Sequence, residues 1–190
     1  MVKKNCSRGD GGLQLVFADE CEVHAHPQLA KVWQKKGHPM KVMAAGDDHK
    51  FTVYGGFEYQ AGHIISYQSE GKDSKEFIHW LQVLIHTLPD KPILVVLDNA
   101  RYHQSRECWQ WWKLHRDHIR TFFLPAYTPH LNLIERVWRY LKSKLSCHRW
   151  WADMPGLMTA TEETLNHLQI CFYAGGQPSI ALVHELCPSA

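Results

Sequence analysis

Short apolar runs bounded by polar or turn residues divide the chain into predicted strands. Leu13–Ala18 has the sequence LQLVFA and is followed by Asp19, and Ile93–Leu97 has the sequence ILVVL and is followed by Asp98. Ile119–Leu124 is a third run of this kind. Runs of this length with polar boundaries predict buried strands. Asp19 and Asp98 are therefore expected at the C-terminal ends of two strands.

Further strands are predicted between the first two runs, with a hairpin turn at Gln60-Ala61-Gly62. They are Lys41–Ala45, Lys50–Phe57 and His63–Gln68. Gly55-Gly56 lies inside one of them, and glycine within a strand indicates a bulge or a close backbone approach. A phosphate-binding loop is the weaker alternative, because the G-x-x-x-x-G-K-[ST] pattern is missing.

The pattern changes to helical spacing at residues 74–88, where apolar residues recur every three or four positions. Asp73 is the predicted N-cap, Glu76 would complete a capping box, and Pro89 ends the helix. Residues 104–117 form a second predicted helix, rich in Trp and basic residues. Its aromatic rings either pack on the sheet, which we favour, or stack on nucleic-acid bases.

A third helix is predicted to begin at Thr128-Pro129, which places Glu135 about one turn inside it. Thr159–Leu168 and Ile180–Leu186 are two more predicted helices. A run of strands followed by alternating helices and strands predicts an α/β fold, with a mixed five-stranded sheet covered by helices on both faces.

Acidic side chains end these elements at places that can converge. Asp19 and Asp98 follow strands, and Glu135 lies near the start of a helix. Carboxylate oxygens are the ligands that Mg²⁺ prefers. Two such ions about 3.5–4 Å apart are the arrangement that phosphodiester chemistry uses. The sequence therefore predicts that Asp19, Asp98 and Glu135 form a metal site.

Composition narrows the class of protein. The chain has 190 residues, 45% hydrophobic and 21% charged, which indicates one globular domain. The net charge of +2 does not by itself indicate nucleic-acid binding. The six Cys show no C-x-x-C pair and are expected to be reduced thiols. We expect a cytoplasmic protein, because neither a signal peptide nor an apolar run of membrane-spanning length is present.

Two motifs in order carry a family resemblance. DNARYH, which begins at Asp98, and LPAYTPHLNLIERVW, which contains Glu135, resemble the catalytic core of DDE transposases of the mariner superfamily, in its bacterial insertion-sequence branch. FADECEV matches the family's first Asp at Asp19. Leu133 stands where the family usually has Pro. The resemblance spans roughly residues 13–168 and implies a ribonuclease-H-like fold.

The resemblance also implies a chemistry: DNA cleavage and strand transfer with two Mg²⁺ ions, for which Mn²⁺ would substitute. Asp19, Asp98 and Glu135 would be both the catalytic residues and the metal ligands. Asn99 and His103 follow Asp98 and are expected beside the active site, although a histidine that only caps or packs is the alternative. Glu20 is interpreted either as a support for the site or as a solvated residue.

Basic residues supply the predicted DNA contacts, and a solvated amphipathic face is the alternative. They are Arg101, Arg136, Arg139 and Lys142. The family carries helix-turn-helix modules ahead of the catalytic core, and residues 1–12 leave no room for them. We therefore expect a separate or frameshift-fused helix-turn-helix segment as a partner, together with transposon-end and target DNA. A homodimer is a further expectation.

We expect residues 1–12 to be a flexible lead-in, 13–170 the catalytic domain, and 171–190 a C-terminal extension with a short helix. Three other functions stay open. They are another ribonuclease-H-like nuclease, a non-catalytic remnant that binds DNA or transposase subunits, and a carboxylate-pair hydrolase of the glycosidase kind. The last has little support, because the sequence gives three acids at strand and helix ends and no sugar-binding pattern of aromatic residues. Metal dependence would exclude it.

Overall fold

A computed structural model of the chain describes residues 12–27, 33, 35–38, 41, 49–126, 128–146, 150–172 and 178–182. Its strands and α-helices, in chain order, are β1 (Gln14–His24), β2 (Lys50–Glu58), β3 (His63–Ser69), α1 (Ser74–Thr87), β4 (Ile93–Leu97), α2 (Arg106–His115), β5 (Ile119–Phe123), α3 (Glu135–Leu145), α4 (Met154–Asn166), β6 (Leu168–Phe172) and β7 (Pro178–Leu182). Two 3₁₀ turns lie at Arg101–Gln104 and Pro129–Leu131. No helix in this described part of the chain is long and apolar enough to cross a membrane.

The central sheet has five strands in the order β3-β2-β1-β4-β5. β1 pairs antiparallel with β2 and β2 with β3, whereas β1–β4 and β4–β5 are parallel. The predicted mixed five-stranded sheet is therefore confirmed. The predicted strand Lys41–Ala45 lies, from residue 42 onward, outside the described residues.

Helices cover both faces of this sheet, as predicted. α1 and α2 bury an apolar cluster against one face, where Val16, Tyr54 and Val95 lie. α3 and α4 bury a second cluster against the other face, where Val53 and Phe57 lie. Trp111 and Trp112 of α2 belong to the first cluster, so their rings pack on the sheet, whereas Trp109 is 54% exposed.

β1 is longer than predicted, and Asp19 lies in its middle instead of at its end. The pairing of β1 with β4 stops at Phe17 with Val96, while the pairing with β2 continues to His24. β1 continues because Cys21 and Val23 keep the alternation of buried positions and pack against the α3 and α4 side. Asp19 still lies beside the end of β4, because β4 is the shorter strand.

The predicted N-cap of α1 is confirmed, but the capping box is not. The Asp73 carboxylate accepts hydrogen bonds from the backbone N–H groups of Lys75 and Glu76. The Asp73 N–H donates to the Tyr54 hydroxyl, and the Glu76 carboxylate accepts from the Tyr67 hydroxyl. Tertiary partners from the sheet thus take the places that a capping box would fill.

The predicted start of α3 is wrong, because a 3₁₀ turn precedes the helix and Glu135 is its first residue. The Thr128 hydroxyl, expected near the cap, donates instead to the Pro125 carbonyl oxygen at 2.6 Å. α4 begins at Met154, earlier than predicted, because Pro155 fits the first turn and the Asp153 carboxylate caps it.

The predicted helix Ile180–Leu186 is also wrong over residues 180–182, which belong to β7. β7 pairs antiparallel with β6 in a separate two-stranded sheet. A short apolar run is compatible with either state, and here strand pairing decides it. Residues 183–186 lie outside the described residues.

Candidate active site

The three predicted carboxylates line one cavity at the edge of the sheet. Its volume is about 360 Å³, and it opens beside the end of β4. Its lining residues are Asp19, Asp98, Asn99, Ala100, Leu124, Pro125, Ala126, Thr128, Asn132 and Glu135. β1 supplies Asp19, the loop after β4 supplies Asp98, and the first turn of α3 supplies Glu135. Their role as metal ligands stays a prediction.

Asp19 lies on the sheet face that α3 covers. The Trp138 indole N–H donates to Asp19 Oδ2 at 3.1 Å. The pKa of the Asp19 carboxyl is raised to about 7, first by burial and then by the negative charges of Glu20, Glu135 and Asp98, against an opposing backbone hydrogen bond. The pKa of Asp19 therefore reports mainly the burial of this carboxyl and, to a smaller extent, the acidic groups around it.

Glu135 is placed by a connection between the loop before α3 and strand β1. The Asn132 side-chain amide donates from Nδ2 to the Ala18 carbonyl oxygen at 2.9 Å, directly before Asp19. The Glu135 backbone N–H donates to the Asn132 carbonyl oxygen at 3.2 Å. Asn132 Oδ1 is buried and has no hydrogen-bond partner among the described residues. Asn132 thus fixes the distance between the first and third carboxylates.

His103 contacts a carboxylate through each of its ring nitrogens. Nδ1 lies 3.1 Å from Asp98 Oδ1, and Nε2 lies 2.9 Å from Glu20 Oε1. The His103 side chain is fully buried, and that of Glu20 is 3% exposed. Glu20 is therefore not the solvated residue that one interpretation suggested, and His103 directly contacts a cavity carboxylate.

The contacts of His103 with Glu20 and Asp98 change the pKa of His103 and that of Asp98. Burial lowers the pKa of His103, but the hydrogen bonds with Asp98 and Glu20 outweigh it and raise the pKa to about 9. The same bond with His103 lowers the pKa of Asp98, against the effect of burial and with help from the Ala100 N–H. Asp98 is consequently ionised near neutral pH, while Asp19 is close to half-protonated.

Asn99 connects the ends of two strands at the cavity wall. Its Nδ2 donates to the Leu124 carbonyl oxygen at the end of β5, and its Oδ1 accepts from Gln104 Nε2 at 3.2 Å. Both polar atoms of the amide therefore have partners. Asn99 lines the cavity, and its contacts indicate that it holds the wall in place, while its role beside an active site stays a prediction.

The four predicted DNA contacts fall into two groups. Arg101, Arg136 and Arg139 are exposed. Lys142 is half-buried and lies beside the Cys21 thiol, where it lowers a pKa that burial raises to about 11. Lys142 thus points toward the sheet, which the one-dimensional pattern of the basic residues did not predict.

The donor chemistry of the cavity fits hard divalent cations, although the acids stand apart. No group of three or more His, Cys, Asp or Glu side chains within the described ranges is close enough to hold one ion as it stands. Three uncompensated carboxylates repel one another. Burial and the nearby acidic groups raise the pKa of Asp19, and a bound cation would lower it by favouring the ionised carboxylate.

Sequence reasoning missed Trp138 and Asn132 as parts of this site. A signal for Trp138 existed, because a residue three positions after Glu135 lies on the same side of a helix. Asn132 gave no such signal, since its partner is the Ala18 backbone carbonyl, 114 positions away.

The strand order β3-β2-β1-β4-β5, with helices on both faces, defines a ribonuclease-H-like fold. The chain belongs to the DDE superfamily endonuclease family, whose model matches residues 14–157. The predicted family and fold are confirmed.

Among curated proteins, the chain is 26% identical over 168 residues to the insertion element IS630 uncharacterized 39 kDa protein of Shigella sonnei. That match covers 88% of the chain and 48% of the relative, so the chain spans about half the length of this relative.

Among solved structures, the chain is similar to the Mos1 transposase paired-end complex with left transposon end, with a TM-score of 0.62 and 15% identity over 80% of this chain and 47% of that one. A Mos1 mariner paired-end complex with Mn gives a TM-score of 0.61 and 15% identity over 80% and 48%. At these identities the likeness shows the fold.

Proposed function

We propose that this chain is the catalytic part of an insertion-sequence transposase that cleaves DNA phosphodiesters and transfers the cut strand. The observation that carries the proposal is the cavity lined by Asp19, Asp98 and Glu135, in a chain of the DDE endonuclease family. The relatedness to an insertion-element protein supports the choice of transposition over plain cleavage.

The proposed cofactor is a pair of Mg²⁺ ions, for which Mn²⁺ substitutes. Asp19, Asp98 and Glu135 are the residues that would hold these ions. When bound, two such ions supply an activated nucleophile and stabilise the leaving oxygen. The Mn in a Mos1 structure of the same fold supports divalent metal use. Trp138 and Asn132 would hold Asp19 and Glu135 in position before a metal ion binds.

The proposed partners are transposon-end and target DNA. Exposed Arg101, Arg136 and Arg139 are the proposed backbone contacts, and Lys142 would reach DNA only by turning away from the sheet. The Mos1 complex with a transposon end supports such a partner. We further propose a helix-turn-helix segment, separate or frameshift-fused, a homodimer, and action in the bacterial cytoplasm. Residues 13–170 would be the catalytic unit.

Nicking of supercoiled plasmid in Mg²⁺, Mn²⁺ or EDTA tests the proposal. We expect metal-dependent nicking that Asp98→Asn, Asp19→Asn and Glu135→Gln each reduce at least ~100-fold, because each removes a charged metal ligand. Glu22→Gln is the matched control, because this acid lies on β1 and pairs with Lys50 at 3.0 Å, away from the cavity.

Full metal-dependent cleavage by Asp98→Asn would show that the site is assigned wrongly. Joining of a labelled transposon-end oligonucleotide to the plasmid distinguishes a transposase from a nuclease that only cuts. A chain that cuts without ever joining ends, even when a helix-turn-helix segment is fused to it, would refute the transposition half of the proposal.

A further inference from the structure

We propose that Glu20 is a positioning residue of the active site, which acts through His103 to set the orientation of Asp98. The inference rests on the function proposed above. It concerns a carboxylate on the sheet face opposite to Asp19, outside the residues that line the cavity.

The geometry of β1 separates two neighbouring carboxylates. Asp19 and Glu20 are neighbours in a strand, so their side chains point to opposite faces of the sheet. Asp19 receives its hydrogen bond from Trp138 of α3, and Glu20 contacts His103, which packs against Phe77 of α1. One dipeptide therefore sends one carboxylate into the cavity and the other behind it.

Aromatic contacts hold the His103 ring in a fixed position. Its ring is fully buried, and its centroid lies 4.3 Å from that of Phe77 and 4.4 Å from that of Tyr102. With the ring plane held by these contacts, the imidazole can satisfy both nitrogens only with Glu20 on one side and Asp98 on the other. If Glu20 is lost, Nε2 keeps no partner that the structure records.

Asp98 has an exposed side chain that few contacts orient. Its side chain is 54% exposed, so packing does not fix its rotamer. The contacts that orient its Oδ1 are the His103 ring at 3.1 Å and the Ala100 backbone N–H at 3.0 Å. Asp98 itself lines the cavity. The row Glu20–His103–Asp98 resembles the outer-shell support of metal ligands, whose removal typically costs about 10–100-fold in metal affinity or activity.

The test compares Glu20→Ala and Glu20→Gln with Glu22→Ala. Glu22 lies two residues further along β1 on the same sheet face, its change removes the same charge, and its partner is Lys50. The first readout is Mn²⁺ affinity of the protein without DNA, measured by water-proton relaxation. We expect Glu20→Ala to weaken it about 10–100-fold. Glu20→Gln, which keeps an acceptor oxygen, should weaken it less, and Glu22→Ala should not change it.

The second readout is nuclear magnetic resonance of the imidazole N–H protons in metal-free protein. Slowly exchanging His103 signals, assigned by their loss in His103→Gln, should be present in wild type and Glu22→Ala. They should be lost or shifted in Glu20→Ala. This measurement needs no activity and is informative even if Glu20→Ala is too unstable for kinetics, because Glu20→Gln must then shift the same signals.

The outcomes separate the inference from the proposed function. Wild-type Mn²⁺ affinity and unchanged imidazole signals in both Glu20 variants would overturn the inference, whatever the nicking assay shows. Loss of nicking in Asp98→Asn with normal nicking in Glu20→Ala, at every Mg²⁺ concentration, would also overturn it while leaving the proposed function intact. Absence of nicking in wild type, with the expected Mn²⁺ and imidazole changes, would count against the proposed function alone.

Discussion

Asp19 and Asp98 are carboxylates of one cavity with opposite protonation behaviour. The pKa of Asp19 is raised to about 7, first by burial, whereas that of Asp98 is lowered, first by the hydrogen bond with His103. The difference follows from their surroundings: Asp19 has an indole N–H and acidic neighbours, and Asp98 has an imidazole that carries a positive charge. A metal-free cavity near neutral pH therefore holds one carboxylate that readily takes a proton.

This difference predicts how stability depends on pH without metal. The Asp19 carboxyl has an ordinary pKa of 3.8 and a folded pKa of about 7, so between these values it is protonated only in the folded state. Its contribution is fully present below the lower value and is lost as pH rises to about 7. The free energy of unfolding should therefore fall from pH 5 to pH 8 more steeply in wild type than in Asp19→Asn, as measured by urea unfolding in EDTA.

Bound Mg²⁺ should restore the stability that the protein loses as pH rises. At pH 8 we expect Mg²⁺ to stabilise wild type and to stabilise Asp19→Asn much less, because a ligand that binds only the folded state raises its stability by mass action. Parallel pH curves for the two proteins, unaffected by Mg²⁺, would contradict the assignment of this carboxyl.

The elements around Asp19 depend on a close contact between β2 and α3. Gly55 pairs with Asp19 across the ladder, and a Cβ placed on Gly55 would lie 2.3 Å from Trp138 Cη2. The ladder through Gly55 is continuous, so the close approach is the correct one of the two explanations that its position in a strand suggested. The absence of a side chain on β2 lets the Trp138 ring reach Asp19.

Gly55→Ala should therefore destabilise the protein by about 1–3 kcal/mol through overpacking. Gly71→Ala is the control, because its nearest contact would be 3.4 Å from Glu76 Cγ, and we expect a change within about 0.5 kcal/mol. Trp138→Phe removes the two ring atoms that clash. In thermal and urea unfolding, the double variant Gly55→Ala/Trp138→Phe should lose less stability than the sum of the losses of the two single variants. Additive losses would show that the contact is not the cause.

Local patterns predicted the elements better than their ends. Apolar runs predicted the strands β2, β3 and β4, and Asp73 predicted the cap of α1. Both kinds of signal depend only on residues that are neighbours in the sequence. The start of α3 failed because Thr128 bonds Pro125 instead of capping, and the end of β1 failed because an acid was taken as a boundary. Neither choice can be made from neighbouring residues, since packing on the sheet decides both.

At the scale of the whole molecule, the two sheet faces have different roles in the site. The α3 face supplies Glu135 and Trp138, and the α1 face supplies the support of His103 by Glu20. The sequence predicted that the three acids come together because Asp98 and Glu135 lie in motifs and Asp19 follows an apolar run. It left the role of Glu20 open, because 83 positions separate Glu20 from His103 and only the folded sheet brings them into contact.

The net charge of +2 predicts weak DNA binding that salt readily abolishes. We expect Arg139→Gln to weaken binding of a random duplex and to reduce the slope of log affinity against log salt by about 1, if it contacts one phosphate. Lys113→Gln is the matched control, because this exposed residue lies on α2 behind the other face of the sheet. Fluorescence anisotropy in EDTA from 25 to 200 mM salt measures both, and equal slopes for all three proteins would refute the contact.

The alternation of β1 also limits which insertions and deletions the chain can accept. A change of one residue between Gln14 and Ala18 would reverse the faces of Asp19 and Glu20, placing the longer acid against Trp138 and the shorter one toward His103. A change of two residues would preserve both faces. An odd change in length should therefore exchange the two acids unless a bulge absorbs it, whereas an even change keeps their faces and moves both along the strand.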